Sequence, residues 1–160
     1  MRRSPSRGFS LVELMIVLMI VGILLRLSLP AYNNLVRNAR AAQVAADFNT
    51  VRAAAFAYHA ATNAWPPESG TGVVPPTLVT YLPPGFSFVK STYSLDWENW
   101  VLPAGTPQYP STQVMLGISV STTDSKLGNS VVSILGQNTA HYTMNTSYTF
   151  VISSTLDGAP

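Results

Sequence analysis

Hydrophobic positions along this chain follow three successive patterns. From Phe9 to Leu29 an apolar run of 21 residues is broken by only two charges, Glu13 and Arg26. From Ala31 to about Ala61, apolar residues recur at Val44, Phe48, Val51, Ala55 and Tyr58, in steps of 4, 3, 4 and 3. Farther on the period falls to two, as in Phe86-Ser87-Phe88-Val89-Lys90 and in Val114, Leu116, Ile118 and Val120. The first pattern predicts a helix of about 31 Å, which matches the hydrocarbon core of a bilayer. The second predicts a single stripe on an amphipathic helix, with Arg37, Arg40, Gln43, Asp47 and Arg52 between the stripe positions. The third predicts strands, joined by the β-branched and aromatic Tyr148-Thr149-Phe150-Val151-Ile152.

The connections fit an α+β fold: a long N-terminal helix packed against a small antiparallel sheet. Neither Pro nor Gly occurs between Ala31 and Ala61, so the two helical patterns join into one helix from Phe9 onward. Gly22 and Pro30 are expected to make its least stable span, because glycine weakens a helix and Pro30 leaves the Arg26 carbonyl without its helical partner. Asn63 to Pro67 stops it, and the pairs Pro66-Pro67, Pro75-Pro76 and Pro83-Pro84 predict an extended connector. Between the last two strands, Asp124 can cap a short helix carrying Leu127, Val131, Ile134 and Leu135 and ending at Gly136. The expected organisation is a basic leader over 1–8, a transmembrane helix over 9–30, an amphipathic helix over 31–62, and a Pro-rich connector with a sheet head over 63–160.

Charge changes the picture in one respect. The formal net charge is +2, but Arg2, Arg3 and Arg7 all lie in the leader, so residues 9 onward carry 2 − 3 = −1. From residue 60 on, Lys90 and Lys126 face five acids, Glu68, Asp96, Glu98, Asp124 and Asp157. Nothing there makes the basic patch that direct nucleic-acid binding needs. The leader's arginines predict a cytoplasmic N-terminus. A secretory signal fits poorly, because its apolar core is typically about 7–15 residues and no small-x-small site follows this run. The absence of cysteine excludes disulfides and thiol catalysis.

Glu13 is the residue that points to function. A carboxylate at bilayer depth costs on the order of 2.5–3.5 kcal/mol and needs a partner. A cut between Gly8 and Phe9 would create one, since the new Phe9 amine lies in the same layer and can reach a neighbour's Glu13. These residues, Gly8-Phe9-Ser10-Leu11-Val12-Glu13-Leu14 with the apolar run and Leu29-Pro30-Ala31-Tyr32, resemble the type IV pilin and type II secretion pseudopilin superfamily. The resemblance implies cleavage after Gly8 by a prepilin peptidase, N-methylation of Phe9, and assembly roles for Glu13, Gly22 and Pro30. It also implies partners: copies of the chain and other pilin-like subunits in a helical filament, and a membrane platform protein with its assembly ATPase. Arg26 departs from the pattern, because the family keeps that stretch uncharged. By position it falls near the outer interface, where its stem can snorkel to headgroups.

The remaining chemistry is sparse. His59 and His141 are the only imidazoles, and no nucleophile elbow, P-loop, zinc or dinucleotide motif is present, so no catalytic role is expected. Asp96-Trp97-Glu98-Asn99-Trp100 reads as a turn whose oxygens suit calcium at Asp96, Glu98 and Asn99, a reading the resemblance encourages. Two tryptophans there also suggest core contacts or a sugar-stacking platform. The expected function is a non-enzymatic filament subunit, first as a type II secretion pseudopilin. The alternatives are a type IV pilus subunit for adhesion, motility or DNA uptake, and an exported binding domain that never polymerises. The expected location is the inner membrane with a periplasmic head, then a periplasmic or cell-surface filament.

Overall fold

The computed structural model describes residues 9–102 and 113–154. One helix, α1, runs over Leu11–Thr62. The chain divides into two compact units between Val36 and Arg37, within this helix. In the first unit every residue from Phe9 to Leu35 is exposed. The helix passes Gly22 and Pro30 without a break in its assignment. Pro30 lacks the N–H that would reach the Arg26 carbonyl, and α1 continues through it.

The second unit is the α+β head with the end of α1. Its strands are β1 (Ser94–Leu102), β2 (Gln113–Ser121), β3 (His141–Met144) and β4 (Ser147–Ser154), with α2 (Ser125–Leu135) between β2 and β3. All pairings are antiparallel, in the order β1-β2-β4-β3. Side chains alternate along each strand. Leu95, Trp97, Leu116, Ile118, Val120, Tyr148 and Phe150 turn to one face and are buried. Against them packs the α1 stripe: Ala41, Val44, Phe48, Val51 and Ala55 are buried and Tyr58 is partly so. Phe48 meets Phe150 edge to face at 5.6 Å between ring centroids. The stripe read from the sequence is thus the core-facing side of α1.

Local chemistry sets the ends of the elements. α1 stops at Asn63, whose positive φ of 55° lets its N–H reach the His59 carbonyl at 2.8 Å. α2 starts at Asp124, whose carboxylate accepts the N–H groups of Lys126 and Leu127. Gly128 faces Tyr148 so closely that a Cβ there would fall 2.2 Å from the ring, so α2 can approach the sheet only with glycine at that point.

Two expectations are corrected. Asp96 to Trp100 is the interior of strand β1, not a turn. Its edge is sealed by the connector: Leu95 donates to the Phe88 carbonyl, Gly72 donates to the Leu95 carbonyl, and Asn99 donates to the Glu68 carboxylate. Conversely, Phe86 to Lys90 forms no named strand and makes one isolated bridge, Val89 to Ser94. Its alternation reflects Phe88 plugging the core, with Phe86 packed beside it. Strand β3 is a further element that the sequence pattern does not show.

Candidate functional site

Two regions carry the residues singled out above. The first is the start of α1. Gly8 lies outside the described residues. Phe9 is 84% exposed. Ser10 and Glu13 form a reciprocal cap: the Ser10 N–H donates to Glu13 Oε2 at 2.9 Å, and the Val12 N–H donates to Ser10 Oγ at 3.2 Å. This satisfies two donors that a helix start leaves without partners. The Glu13 carboxylate is therefore held at the backbone of Ser10, the residue next to Phe9. A carboxylate has more acceptor sites than this bond uses. Gly22 and Pro30 do not touch this cap. Nothing within 4 Å among the described residues would obstruct a Cβ at Gly22, so no packing among them requires glycine there.

The helix around these residues has an 18-residue window of mean hydropathy 2.4, none of it buried within the chain. Such a surface is stable in lipid or against other apolar helices, and not in water.

The second region is the acidic part of β1. Strand alternation sends Asp96 and Glu98 to the face away from α1 and Asn99 to the other. Asp96 is 7% exposed and accepts the Thr71 hydroxyl at 2.6 Å. Glu98 accepts Ser119 Oγ at 2.5 Å, and Ser119 in turn meets Thr149 at 2.6 Å. Asn99 instead donates its side-chain amide to the Pro66 carbonyl at 2.8 Å. So the three oxygens proposed for calcium are not brought together, and among the described residues no group of three or more His, Cys, Asp or Glu converges on a metal position. The tryptophans diverge likewise. Trp97 is buried with its indole N–H donating to the Pro66 carbonyl at 3.0 Å. Trp100 lines a groove on the opposite face, beside Met115, Tyr142 and Met144.

Burial pushes the Asp96 carboxyl from 3.8 up to about 6, against the lowering effect of Thr71 and with help from the charges of Glu98 and Glu68. Glu68 is raised too, chiefly by burial. Across the head, Asp47 of α1 binds Lys90 at 3.2 Å and accepts the Tyr93 hydroxyl at 2.5 Å. Burial first, then that bond, raises the Tyr93 phenol well above its ordinary value. His59 stacks on Trp65 with ring centroids 3.9 Å apart, and His141 lies 5.9 Å from Phe150. Both imidazoles are engaged with aromatic rings.

Comparison with known proteins bears on the first region most strongly. The prokaryotic N-terminal methylation motif matches residues 3–25. The PilW C-terminal family matches residues 35–100, from the lower part of α1 into β1. The chain is 36% identical over 71 residues to the type IV major pilin protein PilE1 of Neisseria gonorrhoeae, covering 44% of this chain and 33% of that protein. It is 32% identical over 81 residues to the fimbrial protein EcpC of Eikenella corrodens, covering 49% of this chain and 51% of that one.

The chain carries the prokaryotic N-terminal methylation motif and is similar to type IV pilins.

The matched stretches span only about a third and a half of these two relatives' own lengths. No solved structure matches the chain at comparable stringency. The methylation motif covers Phe9, Ser10, Glu13 and Gly22 together. Strands β2 to β4 and helix α2 lie beyond both family matches. Ser10 is the residue of this region that sequence reasoning missed. Its signal was available, since Ser10-Leu11-Val12-Glu13 has the spacing of a capping box. Thr71, Ser119 and Thr149, which hold Asp96 and Glu98, carried no such signal because they come from distant segments.

Proposed function

We propose that this chain is a structural subunit of a type IV pilus, made as a precursor and assembled through the exposed half of α1. The observation that carries the reading is that helix: apolar, uncovered by its own chain, and headed by the methylation motif. Membrane anchoring and polymerisation are two ways of covering the same surface, first with lipid and then with copies of itself. On this reading a prepilin peptidase cuts between Gly8 and Phe9 and methylates the new amine. The basic leader holds the N-terminus in the cytoplasm and places the head across the inner membrane. A platform protein then delivers subunits to the filament base.

In the filament, Glu13 would pair with the Phe9 amine of a neighbour. Its position beside Ser10 supports this, because the carboxylate is already held at the helix start. Gly22 and Pro30 would let the intervening span loosen as helices crowd together.

The pilus reading is favoured over a secretion pseudopilus because both curated relatives above are named as a pilin and a fimbrial protein. The absence of cysteine favours the pseudopilin reading, since many such subunits lack a disulfide. Immunogold labelling of intact cells with an antibody to the head separates them. Labelled surface filaments that vanish on deletion of the gene are expected. Label confined to the periplasm, with loss of an exported protein, would select the pseudopilus instead.

A further inference from the structure

We propose that in the assembled filament Arg26 of one subunit pairs with Glu13 of another, fixing the two helices 13 positions out of register. This rests on the filament reading and adds to it a specific contact and a specific step. Glu13 and Arg26 are the only charged side chains between residues 9 and 36. Within its own helix Arg26 has no acid three or four positions away, where Gly22, Ile23, Leu29 and Pro30 stand. The whole surrounding surface is exposed and apolar. When such surfaces come together, each charge must meet its opposite or remain desolvated without a partner.

The spacing dictates how they can meet. The separation is 26 − 13 = 13 positions, or about 20 Å along the axis. At 3.6 residues per turn the two side chains leave the helix about 140° apart. One subunit therefore offers Glu13 to a neighbour on one side and Arg26 to a neighbour on the other. A contact that uses different surfaces on its two partners is heterologous, and with an axial step it repeats without closing. That is the symmetry of a filament rather than of a dimer.

The same spacing makes the pair unavailable in the membrane. Helices resting at equal depth hold Glu13 and Arg26 of neighbours about 20 Å apart along the bilayer normal, within a core of about 30 Å. Each charge is then nearer its own interface, and Arg26 can snorkel outward. Only a subunit displaced by 13 positions relative to its neighbour brings the two into contact. Glu13 can serve both the Phe9 amine and Arg26, because a carboxylate offers two oxygens.

The test uses the full chain, which contains no cysteine of its own. Ile16→Cys with Leu29→Cys places thiols one turn beyond Glu13 and Arg26, separated by the same 13 positions. Ile16→Cys with Ile23→Cys is the control, with thiols about 9 Å out of line in the proposed register. Disulfides do not form when Cα atoms are more than about 7 Å apart. Oxidised filaments of the first variant should give a ladder of dimers, trimers and higher species on a non-reducing gel, while the control stays monomeric. A ladder from the control alone, or from neither, overturns the register. In parallel, Arg26→Gln should lower filament yield at least about five-fold at unchanged membrane level, and Arg26→Lys should restore most of it. Undiminished filaments from Arg26→Gln overturn the pairing even if the cysteine variants fail to assemble. Absence of filaments from the unaltered chain would instead overturn the filament reading beneath it.

Discussion

Between Phe9 and Leu35 every side chain of α1 is exposed within its own chain, whereas farther along the same helix Val44, Phe48 and Val51 are sealed by the sheet. Both stretches are helical, and both are rich in apolar residues. They differ in where the covering surface comes from. The head supplies its own, with Trp97, Ile118 and Phe150 meeting the α1 stripe. The upstream stretch has none, and its apolar residues occupy all sides rather than one stripe. A helix that is apolar all round belongs in lipid or among other helices. One continuous element can thus answer to two surroundings, and its sequence changes pattern where the covering surface changes.

The largest effect should come from moving the start of the chain across that boundary. A chain beginning at Ala31 lacks most of the exposed stretch and keeps the whole stripe. It should be soluble and monomeric and should unfold cooperatively, as read by circular dichroism and gel filtration. A chain beginning at Ala60 loses Val44, Phe48, Val51 and Ala55 and should aggregate, because the inner face of the sheet is then uncovered. Equal solubility of the two would mean that α1 is not part of the head's core.

Single truncations sharpen the same contrast. Phe48→Ala should destabilise the Ala31 chain by about 3–5 kcal/mol in denaturant titration, the range for emptying a buried aromatic site. Ile16→Ala in the full chain, held in detergent, should leave head unfolding unchanged within about 0.5 kcal/mol, because Ile16 is exposed and is no part of the head's core.

Asp96 tests the head by pH. Its folded value of about 6 lies above the ordinary 3.8, so the folded state holds a proton that the unfolded chain has lost. The resulting stability is fully present below about pH 3.8 and declines as pH rises through 6. It amounts to at most about 3 kcal/mol, with Glu68 changing in the same direction. Asp96→Asn should therefore raise the melting temperature at pH 7 and lose that advantage near pH 4. A variant less stable than the parent at pH 7 would contradict the burial argument. The smallest effect expected is that of calcium. Asp96 and Glu98 lie on one face of β1 and Asn99 on the other, so millimolar calcium and chelator should give the same melting temperature. A rise with calcium but not magnesium would show a site built from other ligands.

How much of this was legible depended on whether each element carried its own signal. The stripe of α1 was readable because burial on one side of a helix imposes a period, which here persists through five positions from Val44 to Tyr58. Strands β2 and β4 alternate strongly, and α2 has Asp124 and Gly136 at its ends. Strand β1 was hidden by Asp96, Glu98 and Asn99, poor strand formers that look like a turn. Its alternation was nonetheless present, with Leu95 and Trp97 inward. What the sequence could not show was the connector that seals its edge through Gly72, Glu68 and Phe88. Strand β3 is four residues long and wholly exposed, so no burial pattern marks it. At the start of α1, Glu13 stands out in the sequence as a lone acid, and Ser10 three positions before it is its local capping partner.

The central claim is that the exposed stretch of α1 is finished by processing and then covered by other copies. The most direct test is the intact mass of the chain recovered from filaments sheared off whole cells. The expected mass is that of the chain without residues 1–8 plus one methyl group, with Phe9 at the N-terminus. A chain that still begins at Met1, or that is found only in the membrane fraction and never in sheared filaments, would contradict it.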